Sequence, residues 1–402
     1  MKRKDLFEKI KCYYANIAII LLSVFCFAFL LEKTSEVLYQ KVIPPKYRRT
    51  GLGAGSVAGT NSRLWESDDP YYAKQPWASQ QQIDYEASRA KNYHPFVLWR
   101  SAPLQSPTIN IDQSGFRVTP GAQCVEGAYK VFVFGGSTTW GWGVPDYATV
   151  PAYIQQELQK KTRKNICVVN MGEEGYYSTH EVLALFLQLK NGRIPNHVIF
   201  LDGDNEIMST YVNAVNPYNV PNENLHFRFL EMSATLLNKS TPLRMRNLFF
   251  PYTLQILSML YINNETRDRQ AEKLNPSHVV GLTARAVREF YTSYNTISQL
   301  AKNYGFTYDV YLQPIPQTTK KELDPIELRN LHRNRPVEMT LSKDIYAEIR
   351  KRKESQSYPH LHIIEDAFDK VKEHRFFDRY HVVPEGNYEV AKAILSHFSG
   401  KL

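Results

Sequence analysis

The sequence predicts an α/β fold: a mostly parallel five-stranded sheet covered by helices on both faces. Three observations lead there. From residue 130 onward, five short and almost wholly apolar runs recur, stretches with helical spacing lie between them, and conspicuous polar clusters follow several of the runs. Runs apolar at nearly every position belong to strands buried on both faces, the condition of a parallel sheet with helical crossovers. Composition agrees, because 43% hydrophobic and 22% charged residues are ordinary for a globular chain. That balance argues against a disordered protein and against a multi-span membrane protein.

The first element is an apolar helix. Ala15 to Leu31 (ANIAIILLSVFCFAFLL) carries no charge. With Tyr13 and Tyr14 it reaches the ~20 residues that cross a bilayer at ~1.5 Å per residue. Lys2, Arg3, Lys4, Lys9 and Lys11 precede it, which keeps residues 1–14 on the cytoplasmic side. A cleaved signal peptide needs a small-x-small site after the apolar run, and FLLEKTSEV has none. A lipoprotein reading would use Cys26, but bulky Phe25 stands where a small residue is required. The expectation is an uncleaved anchor over 15–31, with everything after Glu32 outside the cytoplasm. In a bacterial host that means the periplasm or the cell surface.

The net charge is +9, from 49 basic and 40 acidic residues. The excess beyond the basic tail is spread thinly, with no stripe or binding motif beside it, so nucleic acid is not an expected partner.

Residues 32–128 read as a connector with short strands. Pro44-Pro45, the glycine-bearing run at 53–56 and the polar stretch near Gln80–Gln82 break its periodicity. Asn110 to Arg117 (NIDQSGFR) looks like a turn between short strands. The segment is expected to pack beside the main domain, with one small hairpin.

The main domain is expected over 129–402. Lys130–Phe134 is the first strand and ends in Gly135-Gly136; helical spacing then runs through Tyr147–Lys160. Ile166–Val169 is the second strand, followed by a helix over Thr179–Leu189. His197–Leu201, Phe306–Leu312 and His360–Ile364 complete the sheet. Residues 207–305 are too many for one crossover. A helical insert is expected there, with Ala284–Lys302 as the helix that returns to the sheet.

Cysteines say little. Cys12 and Cys26 lie at or in the apolar helix. Cys124 and Cys167 could pair in an oxidising compartment, although Cys167 sits in an apolar strand, the commoner setting of a buried free thiol. No C-x-x-C pair exists, so a cysteine zinc site is unsupported. His360-Leu-His362 alternates as metal ligands do, but no third ligand is evident. No metal and no cofactor is expected. Asn238-Lys-Ser240 and Asn264-Glu-Thr266 fit the glycosylation pattern, which matters only in a eukaryotic host.

Ligands of open parallel sheets bind beyond the carboxyl ends of the strands, and polar clusters stand there. Gly135-Gly136-Ser137-Thr138-Thr139 follows the first strand, and Asn170-Met-Gly172-Glu-Glu-Gly175 the second. Asp202-Gly203-Asp204-Asn205-Glu206 ends the third, and Asp378-Arg-Tyr-His381 precedes the last helix. Singly each is weak. Asn205 could merely cap a helix, and a lone histidine is more often structural than a base. No Gly-Lys-Ser/Thr follows Gly136, so the phosphate-loop reading fails. Thr139 stands where a nucleophile elbow has glycine.

Together they suit acyl transfer. A serine hydroxyl needs a base, and histidine is the usual one near neutral pH. The histidine needs a carboxylate to hold its tautomer, which Asp378 can supply. The oxyanion needs fixed donors, which the backbone N–H groups of Ser137 and Gly175 and the Asn205 amide can supply.

This set resembles the SGNH (GDSL-like) hydrolase superfamily, whose blocks contribute Ser, Gly, Asn and His in that order. Ser137, Gly175, Asn205 and His381 match, and the resemblance covers roughly 129–395. Gly136 departs from the family's usual Asp, and Glu206 from its usual final Asp. The resemblance implies a flavodoxin-like three-layer α/β/α sandwich. It also implies a triad of Ser137, Asp378 and His381 and an oxyanion hole of Ser137, Gly175 and Asn205. The activity it implies is a serine esterase or acylhydrolase, the substrate an acylated small molecule or carbohydrate. An O-acyltransferase of envelope polysaccharide would use the same triad, and a non-catalytic envelope scaffold is a third reading. Thr138, Trp140 and Trp142 are expected to wall the cleft or pack locally, and Asp204 to serve a turn.

Overall fold

The computed structural model describes residues 2–42, 70–213, 253 and 276–402. The chain divides into two compact units, Met1–Ala58 with Phe227–Thr266, and Gly59–His226 with Arg267–Leu402.

In the first unit, helix α1 (Lys2–Val37) continues into one π-helical turn, Leu38–Val42. Its stretch Tyr13–Val37 has a mean hydropathy of 2.4 and is long and apolar enough to cross a membrane. Ile19, Ile20, Leu22, Phe25, Phe27 and Phe29 are all exposed along it, a continuous apolar surface of the kind that marks an interaction with membrane or protein. The helix outruns the apolar stretch at both ends because charged helix formers such as Lys4, Glu8 and Lys33 prolong it. Toward its end Glu32 accepts hydrogen bonds from the Thr253 backbone at 3.1 Å and from its hydroxyl at 2.7 Å.

The second unit opens with α2 (Pro70–Ala73), α3 (Ala78–Ser88) and a hairpin, β1 (Lys91–His94) and β2 (Leu98–Ser101). Then follow β3 (Tyr129–Gly135), α4 (Ser137–Trp140), α5 (Val150–Lys161), β4 (Ile166–Asn170), α6 (Ser178–Lys190), β5 (His197–Asp202) and α7 (Asp204–Asn213). The last part holds α8 (Pro276–Tyr304), β6 (Thr307–Leu312), α9 (Pro325–Leu331), α10 (Pro336–Ser355), β7 (Leu361–Ile363) and α11 (Pro384–Ser396). The five strands expected from sequence form one parallel sheet, ordered β4-β3-β5-β6-β7. The chain leaves β3 toward one edge and returns to its other side, so the strand order reverses at β3. Open α/β sheets bind ligands at such a switch point.

Alternate strand residues feed two cores. Phe132, Phe134, Val198, Phe200, Val310 and Leu312 face one side, which α6, α8 and α10 cover. Val131, Val133, Val168, Ile199, Leu201 and Tyr311 face the other, covered by α5 and α11. Helix α8 buries Val287, Phe290, Tyr291, Tyr294, Ile297 and Ala301, the three- and four-residue spacing of one helical face. Of the insert expected over 207–305, only the end of α7, Thr253 and α8 fall in the described residues. Asn238 and Asn264 fall outside them.

The segment before β3 is more ordered than its sequence suggests. A hairpin lies at 91–101, and the turn expected over Asn110–Arg117 is present as well, closed by an antiparallel bridge of Ile111 to Arg117. Further bridges join Ile111 to Leu104 and Arg117 to Asn170 at the end of β4. Tertiary burial decides this, because Arg117 is 1% exposed and Ile109 and Ile111 are core residues. The thiol expectation also needs correction. Cys124 and Cys167 form a disulfide, which brings the segment before β3 onto β4. Cys167 is as buried as its strand predicts, but it is bonded rather than free.

Candidate active site

Ser137 starts α4 directly after β3, and Asn205 lies in the first turn of α7 directly after β5. These two strands are neighbours, so the fold sets the two side chains at one end of the sheet. Asp378 and His381 lie between β7 and α11 and reach the same end. His381 Nε2 stands 2.7 Å from Ser137 Oγ. His381 Nδ1 stands 2.7 Å from Asp378 Oδ2. The other Asp378 oxygen accepts the backbone N–H groups of Tyr380 at 2.7 Å and His381 at 2.6 Å. One carboxylate therefore fixes both the turn and the ring. With Nδ1–H donating to Asp378, Nε2 keeps a lone pair for the serine proton.

The charges follow from the packing. Burial works against the His381 imidazolium, but the charge and hydrogen bond of Asp378 outweigh it, with Asp204 and Glu174 adding, and the histidine is raised above its ordinary value. Burial works against ionised Asp378 in the same way, and the His381 charge and the hydrogen bonds outweigh it, so that carboxyl is lowered. Asp204 has no such partner. Burial pushes it up to about 8, Asp378 adds to the rise, and His381 and Arg379 oppose it. Beneath the site, burial pushes Glu181 and Asp202 well up, with Asp202 adding to the rise of Glu181 and Glu206 to that of Asp202.

Both departures from the family motif have a geometric reason. A Cβ at Gly136 would fall on the Asn205 amide nitrogen, with the Tyr176 carbonyl 3.0 Å away. A larger residue there would have to displace the Asn205 side chain. Glu206 Oε1 accepts Ser178 N and Oε2 accepts Gly203 N, each at 2.8 Å. The longer side chain thus ties the start of α6 to the loop after β5. The Asn205 amide donates to Tyr176 O at 2.5 Å, which leaves its second N–H for another acceptor. Gly175 precedes Tyr176 with φ +76°, a conformation that favours glycine. The cavity beside Ser137 measures about 10 Å³, and its walls include Gly136, Asp204, Asn205 and Gln313. That is room for about one water molecule.

Other expected features fall elsewhere. His360 and His362 gather, with His197, on Asp309 at 3.5, 3.0 and 3.3 Å, at the opposite end of the strands. Asp309 was not legible as their partner because it lies about fifty residues earlier in the chain. Among the described residues Asp324, Glu327 and His374 are close enough to hold a metal. Glu327, however, already pairs with Lys321 Nζ at 2.6 Å and accepts Asp324 N, Arg375 N and Phe376 N. Asp324 caps α9 and bonds His374, so this group is a helix cap rather than a vacant ligand set. Trp142 lies beside His381, in keeping with its expected place in the wall of the cleft. Tyr85 also approaches the site, which nothing in its local sequence signals.

No protein-family model matches the chain, and no curated protein matches it significantly. Among solved structures, a member of the lipolytic G-D-S-L family from Veillonella parvula aligns at 10% identity, covering 68% of this chain and 99% of that one, with a TM-score of 0.35. The lipase Lip_vut3 from a goat rumen metagenome aligns at 12% identity over 68% and 99%, with a TM-score of 0.38. The acetyl xylan esterase AlAXEase aligns at 13% over 66% and 98%, with a TM-score of 0.36.

Proposed function

We propose that the chain is a membrane-anchored serine esterase of the SGNH type, acting outside the cytoplasm on short acyl esters, including those of envelope carbohydrate. The observation that carries this is the pair of 2.7 Å hydrogen bonds linking Ser137, His381 and Asp378 at the switch point of the sheet. Ser137 Oγ attacks the ester carbonyl as His381 Nε2 takes its proton. The N–H groups of Ser137 and Gly175 and the Asn205 amide receive the oxyanion. His381 then returns the proton to the leaving alkoxide. Water, activated by the same nitrogen, hydrolyses the acyl-enzyme.

The small cavity with carboxyl-bearing walls favours an acetyl group over a fatty chain, because it has neither the volume nor the apolar surface for one. The apolar helix behind a basic tail supports an uncleaved anchor with residues 1–14 inside. The Cys124–Cys167 disulfide supports an oxidising compartment.

The test uses the full-length protein with p-nitrophenyl acetate and octanoate, with and without a sugar acceptor, and with a fluorophosphonate probe. Hydrolysis of acetate ahead of octanoate is expected. Ser137→Ala should abolish labelling and cut turnover at least about a thousandfold. Labelling that survives Ser137→Ala would mean another nucleophile. Turnover that appears only with acceptor would make the protein a transferase, and no labelling of the wild type would favour a scaffold.

A further inference from the structure

Beyond Ser137 and Asp378, the His381 ring has one close aromatic neighbour. The Trp142 ring lies 4.4 Å from the imidazole, centroid to centroid, at 32°. Phe377 lies 5.4 Å from Trp142 at 11° and 5.9 Å from His381 at 21°. Trp142 and Phe377 are stacked on each other, and the imidazole lies against both, tilted from the indole. Trp142 is 7% exposed, and its backbone N–H donates to Ser137 O at 2.9 Å, which joins it to the turn of the nucleophile. Phe377 N donates to His381 O at 3.2 Å, and Asn330 Nδ2 donates to Phe377 O at 2.9 Å.

The indole is held at its edge as well. Its N–H, a donor with no acceptor capacity, bonds the Tyr85 hydroxyl, and the two rings meet edge to face at 5.5 Å and 85°. Tyr85 donates in turn to Glu174 Oε1 at 3.0 Å. Each donation points toward the glutamate, so each bond polarises the next. The result is a more electron-rich indole. An aromatic face attracts a cation, and it does so more strongly where water is excluded.

We propose that Trp142 is a positioning residue for the base: its face holds the His381 ring with Nε2 on Ser137 and favours the imidazolium formed when the serine proton is taken. Tyr85, on α3, holds and polarises that face. This rests on the serine-hydrolase reading of Ser137 and His381. Simple filling of space would need bulk at position 142 but no π face, and that difference can be measured. The other charged or titratable groups around the imidazole are Asp378, Arg379 and Tyr380 on its own turn, Asp204 on α7 and Glu174 after β4. Of these, only Glu174 is reached by a change at 142, through the Tyr85 hydroxyl that donates to it, and Tyr85→Phe reads that contribution separately.

The experiment compares the full-length wild type with Trp142→Phe, Trp142→Leu and Tyr85→Phe. Two readouts are taken: the titration of His381 by NMR on histidine-labelled protein, and the pH dependence of Ser137 phosphonylation by a fluorophosphonate. Trp142→Leu should lower the His381 titration by about half a unit to one unit. It should move the acid limb of phosphonylation to lower pH by the same amount and cut the plateau rate about tenfold. Trp142→Phe keeps an aromatic face and should stay close to wild type in both, and Tyr85→Phe should fall between. An unchanged His381 titration in Trp142→Leu overturns the proposal, as does a Trp142→Phe that behaves like Trp142→Leu. Should Trp142→Leu fail to fold, an unchanged titration in Tyr85→Phe overturns the role given to the relay. A wild type that is not phosphonylated overturns the hydrolase reading instead, and the titration alone then decides the role of Trp142.

Discussion

Asp204 and Asp378 are carboxyls of one site whose surroundings drive them in opposite directions. Asp378 is held ionised by the histidine it orients. Asp204, buried without a cation of its own, is pushed up to about 8. Between the ordinary carboxylate value near 4 and that figure, the folded chain binds a proton that the unfolded chain has released. Stability therefore falls as pH rises through this window. Asp204→Asn removes the group and with it that slope. The melting temperature of the variant, relative to wild type, should rise from pH 5 to pH 8; a difference that stays flat across that range would refute the assignment. At this scale the sequence was legible for Ser137, Asn205, Asp378 and His381, which stand in the order and residue types proposed for one site and which the fold brings to one end of the sheet. The titration of Asp204 was not legible, because it comes from burial and from charges brought near by the fold. Trp142 was legible as a wall of the cleft but not as the neighbour of His381, which lies far along the chain.

At the scale of elements, the stretch between the β1–β2 hairpin and β3 carries more of the site than its irregular sequence implies. Arg117 is buried and donates to Asp146 Oδ1 at 2.7 Å, to Gly141 O at 2.6 Å and to Val144 O at 2.7 Å. It holds the loop that follows Ser137. Removing one partner of a buried ion pair leaves a charge uncompensated, which costs about 3–5 kcal/mol. Arg117→Met should lose stability in that range by denaturant unfolding, with a slower fluorophosphonate reaction at Ser137. A loss below about 1 kcal/mol would make this a weak surface-type pair. Helices α5, α6 and α8 were legible because their apolar spacing is local, and α8 shows one buried stripe over several turns. The turn at Asn110–Arg117 was legible from its turn residues, but its bridges to Leu104 and Asn170 were not, because isolated pairs leave no period in the sequence.

At the scale of the molecule, a disulfide spanning 43 residues ties the segment before β3 to β4. Closing a loop of that size stabilises a fold by about 3–4 kcal/mol. Cys167→Ser should lower the unfolding free energy by about that much, and a reducing agent should destabilise the wild type but not the variant. Equal sensitivity of the two to reductant would deny the bond. By itself the sequence determined the parallel sheet, the apolar helix behind its basic tail, and which serine, asparagine, aspartate and histidine could work together. All of these rest on patterns that are local, or on residue types that the chemistry cannot replace. Only the tertiary structure decided that the two cysteines bond, that the Asn205 amide fills the space beside Gly136, and that an indole lies beside the imidazole of His381. Those facts depend on distances between residues remote in the chain, and they exist only once the sheet has brought its strand ends together.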